Sequence, residues 1–439
     1  MAKLKKFWNE INASYWFYPA LFSIVAVLLA IVSVWLDRNG YADFLHNISW
    51  LEPARPAGAS NMLTVIAGSM IGTASTVFSI TIAAVAYASG NYGPRLLTNF
   101  MENKGNQLSL AVFIGTFVYA ISVLRVVRVE DEASIFGDQT ETLPAFVPQL
   151  SLLLAFAAMA VSVMTLVYFL NHIPASIRIN SVLKGIGDRL INDIRRDFDK
   201  PMKKRVRMKA PEGRAVTAKK TGYVQIIDFE RLDRIAHKVG GRLQLGVRSG
   251  DFVHPAVPLV YWTDDDMLDD LRDEDIRECF ALGGMRTPNQ DLHFLIDELV
   301  EIGLRALSPG INDPFTAISA LHWLGAATAE LGQRELSRAF GGAENDDEDR
   351  IDLLGDDFAH YVHRGFGSVR PGVATNPNAA VVMFEVLYHT SSTITDASRH
   401  HVLAREGEQL WRQTQEHMSG PDIEWVESAY RKFEKDMAR

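Results

Sequence analysis

Four long apolar runs near the start of the chain constrain its fold more than any other feature. They cover residues 16–36, 62–88, 108–127 and 147–170. A helix needs about 20 consecutive apolar residues to cross the hydrocarbon core of a bilayer, and each run reaches that length. The sequence therefore predicts a four-helix transmembrane domain over residues 1–175.

The first run follows a basic tail that contains Lys3, Lys5 and Lys6, so a signal peptide is an alternative. The run is longer than the apolar segment of a signal peptide, and no small-x-small cleavage site follows it. Aromatic residues stand at both of its ends, in "SYWFYP" and at Trp35, as in helices anchored at both membrane interfaces. We expect the run to be retained as a membrane-spanning helix.

The uneven distribution of Lys and Arg sets the expected orientation. Basic residues occur in the N-terminal tail, between the second and third runs, and densely over residues 178–209. The segments 37–61 and 128–146 carry few basic residues, and the second is acidic. Because basic loops stay on the cytoplasmic side, we expect a multi-pass protein of the bacterial inner (plasma) membrane with cytoplasmic N and C termini.

The second run is unusually rich in Gly, Ser, Thr and Ala. Helical periodicity places several of its hydroxyl-bearing and small residues on one face. The residues concerned are Ser69, Gly72, Thr73, Thr76 and Tyr87. Such a face permits close packing between membrane helices. Its hydroxyl groups can equally line a path for water or ions at a subunit axis, and both alternatives stay open.

Residues 176–439 have the composition of a charged, non-membrane protein. We expect a connector helix and basic linker over 176–220, and its apolar stripe needs a partner in the same chain or in a neighbouring subunit. Residues 221–263 predict a small β-rich module of order β-α-β-β. Residues 264–439 predict a helical domain. The expected fold is an α-helical membrane protein with four transmembrane helices plus a cytoplasmic α+β region.

Five helices are expected within the last of these regions. Helical periodicity covers "DDDMLDDLRDEDIRECFAL" and "NQDLHFLIDELVEIGLRAL", and then residues 315–331, 377–418 and 422–438. Between the second and third of these helices stands a cluster of turn-forming residues, "SPGINDP", at 308–314. Asp313 before Pro314 is a usual N-cap arrangement, and Asn312 tolerates the left-handed backbone region.

A set of polar residues around this corner is the candidate cytoplasmic site. Its members are expected to complete a buried polar network or to bind a small anion at the start of a helix. They are Arg286, Gln290, Asp291, Arg305, Asn312 and Asp313.

No motif indicates an enzyme, a bound cofactor or a metal centre. The sequence contains no P-loop, no H-E-x-x-H and no nucleophile elbow, so we expect no catalytic residues. His360 and His363 have a spacing that can share a metal, but no third ligand stands at a suitable spacing. The one cysteine, Cys279, excludes an intrachain disulfide and is expected to be buried. A net charge of −9 argues against nucleic acid as a partner.

Three stretches carry a resemblance to a known family: "SYWFYPAL", "STVFSITIAAVAYASGNYGPRLLTNFMENKGNQLSLAVFIGTFVYAISVLRVVR" and "RTPNQDLHFLIDELVEIGLRALSPGINDPFTAISAL". In this order they resemble a bacterial family of predicted membrane proteins, catalogued as domain of unknown function 2254. The resemblance covers most of the chain. It implies a topology like the one predicted above, and it supplies no activity, substrate or catalytic residue.

These observations lead to two hypotheses for function. The first is a homo-oligomeric channel or transport-like protein with a large cytoplasmic domain. The alternative is a membrane-anchored scaffold or sensor whose cytoplasmic domain binds a ligand or a protein. The expected partners are the lipid bilayer, further copies of the chain, and an ion or small anion.

Overall fold

The computed structural model describes residues 11, 14–41, 54–93, 103–128, 145–198, 213–239, 242–262, 273–336 and 350–438. The chain divides into two units. One, the four-helix unit, is made of Ile11–Gly90 and Pro94–Arg178. The other, the mixed unit, contains Ile179–Arg439 and the short segment Asn91–Gly93. The finer division of the non-membrane part at residues 220 and 263 stays a prediction.

Four helices form the core of the four-helix unit, and each is long and apolar enough to cross a membrane. They are α1 (Phe17–Arg38), α2 (Pro56–Tyr92), α3 (Lys104–Leu124) and α4 (Gln149–Ser176). Each helix covers most of one predicted apolar run and extends beyond it at one or both ends. Such extension is expected because helical hydrogen bonding satisfies backbone groups that water cannot reach in a bilayer.

Polar contacts inside this unit fix which helix ends lie together. The Asp37 carboxylate, at the end of α1, accepts hydrogen bonds from the backbone N–H groups of Leu150 (2.9 Å) and Ser151 (3.0 Å). An anion at a helix N-terminus is favourable, so Asp37 serves as a cap for α4. The end of α1 and the start of α4 therefore lie at the same end of the unit, as the predicted topology requires.

The mixed unit begins with helix α5 (Ile179–Asp197), the predicted connector. Its apolar stripe is buried against helices α8 (Leu292–Ala306) and α9 (Pro314–Gly332) of the same chain. The fully buried members of the stripe are Leu183, Leu190 and Ile194. The partner left open by the sequence is therefore supplied within this chain.

Two small antiparallel-rich sheets follow the connector. Their strands are β1 (Arg214–Thr217), β2 (Gly222–Ile227), β3 (Leu243–Leu245), β4 (Phe252–Val253), β5 (Pro258–Trp262), β6 (Phe280–Gly283) and β7 (Ile351–Asp352). One sheet has the order β1-β5-β3-β7 and the other β4-β2-β6. Helix α6 (Phe229–Val239) connects β2 to β3. Val, Leu and Ile side chains from both sheets and from α6 pack into one core.

The remaining helices complete the mixed unit. They are α7 (Asp273–Arg277), α10 (Phe358–Val362), α11 (Ser368–Val373), α12 (Pro377–Ser391), α13 (Ala397–His417) and α14 (Pro421–Met437). A π-helical turn, His363–Gly367, joins α10 to α11.

Three features differ from the sequence predictions. A helix was predicted through "RECFAL", and this prediction is wrong at Phe280–Gly283. That segment forms strand β6 because it pairs with β2. The β-rich region recruits β1, β6 and β7 from outside 221–263. The single helix expected over 377–418 is two, because the side chain of Asp396 caps a new helix at the N–H groups of Ser398 and Arg399. The basic residues of the predicted linker at 203–209 lie outside the described residues.

Candidate functional site

A cavity of about 590 Å³ lies inside the mixed unit. Strands β2 and β3, the end of α5 and the start of α8 contribute to its walls. Its apolar lining residues include Ile227, Leu245, Val247, Leu292 and Leu353. Its polar lining residues include Arg196, Arg248, Ser249, Gln290, Asp291, His293 and Asp356. The cavity therefore combines an apolar surface with a concentrated set of charged groups.

Gln290 joins the start of α8 to the end of strand β2. The backbone N–H of Ile227 donates to Gln290 Oε1 (2.8 Å), and Gln290 Nε2 donates to the Ile227 carbonyl (3.2 Å). The amide thus pairs with the backbone much as a neighbouring strand does. This arrangement fixes one wall of the cavity, and it uses the polar groups of Gln290 for structure.

Asp291 is the N-cap of α8 and also the anion of a buried ion pair. Its Oδ1 accepts the backbone N–H of Phe294 (3.1 Å), and its Oδ2 accepts two hydrogen bonds from Arg286, at 2.9 and 2.7 Å. Burial raises the pKa of Asp291 above its ordinary value, and the adjacent Arg286 offsets this only in part. Gly250, with a φ of +95°, lies so close that a Cβ atom there would be 2.1 Å from Asp291 Oδ2.

The ion pair continues into a larger network. Arg286 Nη1 donates to Asp297 Oδ2 (2.6 Å), and Arg364 binds the same carboxylate through Nε (2.8 Å) and Nη2 (2.7 Å). Burial alone raises the pKa of Asp297, but the hydrogen bonds and charges of Arg364 and Arg286 outweigh it and leave that pKa below its ordinary value. The network therefore contains an ionised carboxylate held by two guanidinium groups.

The six residues of the predicted polar site do not lie together. Arg286, Gln290 and Asp291 are at the N-terminal end of α8, whereas Arg305 is in its last turn. A helix of 15 residues is roughly 22 Å long, so the two ends are well separated. The expectation that these residues meet at one corner was wrong because the length of α8 separates them.

The corner itself has the local structure that the sequence predicts. Asp313 is the N-cap of α9, accepting the Thr316 N–H (3.1 Å) and the Thr316 hydroxyl (2.6 Å). Asn312 has a φ of 50°, in the left-handed region. Pro314 occupies the first turn of α9. Capping and backbone geometry account for these three residues.

A second polar group on the cavity wall was missed at the sequence level. It joins His293 of α8, Asp356 of the segment before α10, and His360 of α10. His293 Nε2 is 3.1 Å from Asp356 Oδ2, and His360 Nε2 is 3.7 Å from Asp356 Oδ1. The ligand atoms of all three lie within 4.8 Å of one another. The spacing of Asp356 and His360 was a weak signal in the sequence, and nothing there connected them to His293.

The charges around this group favour an anionic carboxylate beside a neutral imidazole. Burial alone raises the pKa of Asp356, but His293, Arg248 and His360 outweigh it, so that pKa lies below its ordinary value. Burial lowers the pKa of His360, and the neighbouring cationic groups add to this effect against the opposing charge of Asp356. A neutral imidazole keeps a nitrogen lone pair, which is what a metal ligand requires.

The π-helical turn helps to separate neighbouring side chains. It begins at His363, directly after the helix that carries His360. Such turns often occur at functional sites because they shift the register of a helix face. Here Arg364 reaches Asp297 while His360 lies beside Asp356. His363 is exposed and is not part of the three-residue group. The spacing of the two histidines suggested His363 as the neighbour of His360, but the structure places His360 beside Asp356 and His293 instead.

The predicted face of the second span is largely exposed on the four-helix unit. Ser69, Gly72, Thr76 and Tyr87 are exposed, and Thr73 is half-buried. The Ser69 hydroxyl donates to the Val65 carbonyl (2.6 Å) and the Thr76 hydroxyl to the Gly72 carbonyl (3.0 Å). Packing within the chain uses the opposite face, which contains Leu63, Ile66, Met70, Ala74 and Val77.

Comparisons with known proteins agree with the resemblance seen in the sequence. Uncharacterised proteins of Mycobacterium tuberculosis and Mycobacterium bovis are 28% identical to this chain over 361 residues. The alignments cover 78% of this chain and 66% of each relative, so the chain spans just under two thirds of their length. No solved structure matches the chain.

A family model described as "Predicted membrane protein (DUF2254)" matches residues 12–389. That range includes all four candidate membrane-spanning helices and the cavity of the mixed unit. The chain therefore belongs to the DUF2254 family of predicted membrane proteins.

Proposed function

We propose that the protein is a membrane-anchored sensor whose mixed unit binds a small organic anion in the cavity. The observation that carries this proposal is the cavity of about 590 Å³ with both apolar and charged lining residues. Small-molecule sites typically measure about 300–1,000 Å³ and combine apolar walls with a few placed polar groups. The proposal needs no catalytic step.

The charge on the ligand follows from the pairing of the wall residues. The carboxylate of Asp291 is paired with Arg286, and that of Asp356 is 2.7 Å from Arg248 Nη2. The Nε atom of Arg248 is buried and lacks a hydrogen-bond partner among the described residues. A buried donor without a partner is costly, and an acceptor group on a ligand in the cavity would satisfy it. We therefore favour a carboxylate attached to an apolar body.

A thermal-shift series on the purified full-length protein in detergent tests the proposal. The probes are hexanoate and benzoate, with hexylamine as the cationic control, all in the presence of EDTA. A ligand at 100 times its Kd stabilises the folded state by about 2.7 kcal/mol. We expect the carboxylates, and not the amine, to raise the midpoint of thermal unfolding.

Two matched arginine variants make this test specific. Arg248→Gln should abolish the shift because it removes the guanidinium whose buried Nε atom is proposed to bind the carboxylate. Arg242→Gln should retain it, since Arg242 pairs with Asp352 and does not line the cavity. Equal carboxylate shifts in both variants would contradict the assignment of Arg248, and the absence of any shift in the wild type would contradict the anion site.

We further propose that the mixed unit lies in the cytoplasm beside a bacterial inner membrane. The support is the concentration of basic residues around 178–209 and in the loop after α2, because basic segments remain on the cytoplasmic side. This placement exposes the cavity to metabolites inside the cell, as a sensor requires.

A homo-oligomeric channel or transport-like protein is the second candidate. The observation in its favour is the exposed small-residue face of α2, where no other atom lies within 4 Å of a Cβ built at Gly68 or Gly72. Small residues four apart, here continued by Thr76, permit close helix association in membranes. That face therefore suits contact with a second copy of the chain.

Flux through liposomes separates the channel from the sensor. The wild type is reconstituted beside Thr73→Leu/Thr76→Leu, and ion flux and oligomeric state are measured together. A channel predicts flux that the double variant blocks. A sensor predicts no flux from either protein, even where both remain oligomeric.

A further inference from the structure

The group formed by His293, Asp356 and His360 has the features of a metal site that was not predicted from the sequence. We propose that these three side chains bind a divalent transition-metal ion at the wall of the cavity. This inference goes beyond the sensor function and does not depend on it, because the metal needs no organic ligand in the cavity.

The distances among the three side chains are close to those that a metal requires. Ligand atoms around a tetrahedral zinc ion, at bonds of about 2.0–2.1 Å, lie roughly 3.3 Å apart. The two measured nitrogen–oxygen distances to Asp356 are 3.1 and 3.7 Å, and no pair in the group exceeds 4.8 Å. The side chain of His360 is 42% exposed, so it has room to rotate into place.

The buried end of His293 faces the carboxylate of Asp356. Its Nε2 atom is buried and lies 3.1 Å from Asp356 Oδ2, an ion-pair contact without the geometry of a well-formed hydrogen bond. The same separation suits a nitrogen and an oxygen that coordinate one ion. A metal bound there takes the place of this direct contact and adds His360 as a third ligand.

The donor set selects the class of metal. Two imidazoles and one carboxylate are common ligands of zinc and of other first-row transition metals, whereas Ca²⁺ and Mg²⁺ prefer oxygen ligands throughout. Arg248 Nη2 forms an ion pair with Asp356 Oδ1 (2.7 Å), while Oδ2 of the same carboxylate lies 3.1 Å from His293 Nε2.

The position of the group leaves room for a further ligand. His293 and Asp356 both line the cavity, and three protein ligands leave at least one coordination position for water. The ion would thus be accessible from the cavity and removable by a chelator.

Metal analysis of the full-length protein tests the site directly. The protein is purified in detergent with a histidine-free tag, stripped with EDTA, and dialysed against Zn²⁺ or, separately, Co²⁺, with Mg²⁺ and Ca²⁺ as comparisons. We expect a single Zn²⁺ ion per chain, visible Co²⁺ ligand-field absorption, and no comparable uptake of Mg²⁺ or Ca²⁺. The measurement uses no organic ligand, so its outcome is independent of the carboxylate series.

Two neighbouring histidines provide the matched variants. His360→Gln should weaken Zn²⁺ binding by at least about 100-fold, since changes even outside the coordination shell commonly cost 10–100-fold. His363→Gln alters an exposed histidine of the same segment that is not in the group, and it should bind like the wild type. A His293→Gln variant, checked for an unchanged circular dichroism spectrum, should lose the Co²⁺ absorption. Wild-type protein without Zn²⁺ uptake, or His360→Gln with unchanged affinity, overturns the proposal.

Discussion

At the scale of single residues, Cys279 offers the simplest check on the packing of the mixed unit. Its side chain is fully buried, and its thiol lies 3.4 Å from the Asp275 carbonyl. Burial raises the pKa of this thiol to about 12. Because the thiolate is the reactive form, the native protein should not react with N-ethylmaleimide at pH 8, and the unfolded protein should. Intact-mass spectrometry measures the adduct, and rapid labelling of native protein would show that this core is open.

Arg286 allows the energetic weight of the buried ion network to be measured. Its side chain is only 17% exposed, and it serves both Asp291 and Asp297. Removing one partner of a buried ion pair typically costs about 3–5 kcal/mol, because the other charge stays buried without its counter-ion. We expect Arg286→Met to lower the free energy of unfolding by an amount of that order, measured by urea denaturation in detergent.

Arg431 is the matched control for that experiment. It pairs with Glu427 on the surface of α14, and its side chain is 74% exposed. Exposed pairs of this spacing contribute about 0.3–0.5 kcal/mol. Arg431→Met should therefore leave the unfolding curve nearly unchanged, and a similar loss in both variants would mean that the Arg286 network contributes no more than a surface pair.

Residue-level prediction from sequence succeeded where the cause is local. Asp313 and Pro314 are adjacent, and their capping geometry follows from a few neighbouring residues. The group of His293, Asp356 and His360 depends instead on α8 packing beside a segment more than 60 residues later in the chain. No periodicity or spacing within one segment contains that information.

At the scale of elements, the connector helix α5 provides a sharp test of its packing. Gly187 faces α9 so closely that a Cβ atom there would lie 2.1 Å from Trp323 Cε3. Gly185, on the same helix, has no atom within 4 Å of its Cβ position. Both glycines lie inside the same helix, but only Gly187 is in close contact with α9.

Alanine substitutions at these positions should have opposite effects on stability. Gly187→Ala should destabilise the protein by about 1–3 kcal/mol, because Trp323 must move to relieve the overlap. Gly185→Ala should stabilise it by about 0.5–1 kcal/mol through the higher helix propensity of alanine. Both are measured by urea denaturation in detergent. Stabilisation by Gly187→Ala would show that α5 does not pack against α9 in this way.

Elements with a strong apolar period were predictable, and the short strands were not. The stripe of α5 and the four long apolar helices follow from regular spacing along the chain. Strand β6 has only four residues, and its partner β2 lies more than 50 residues earlier. Such a strand exists because its backbone groups pair with a distant strand, so the local helical preference of "RECFAL" was overridden.

At the scale of the whole molecule, the order of helix ends and the distribution of charge support one membrane topology. Asp37 caps α4, and Asn103 at the start of α3 lies 3.0 Å from His172 near the end of α4. The end of α1 and the start of α4 thus lie at one end of the four-helix unit, and the start of α3 and the end of α4 lie at the other. Contacts inside the unit leave open which end faces the cytoplasm, and the charge pattern supplies the expectation.

Single-cysteine labelling tests that orientation, because the buried native Cys279 should not react with the maleimide. Ala145→Cys places a thiol at an exposed position of the segment before α4, and Ser392→Cys places one at an exposed position after α12. With a membrane-impermeant maleimide on intact spheroplasts, Ala145→Cys should be labelled and Ser392→Cys should be labelled only after lysis. The opposite pattern would put the cavity outside the cell and contradict a cytoplasmic sensor. Equal labelling of both before and after lysis would indicate leaky spheroplasts, so a cytosolic marker protein is scored in the same sample.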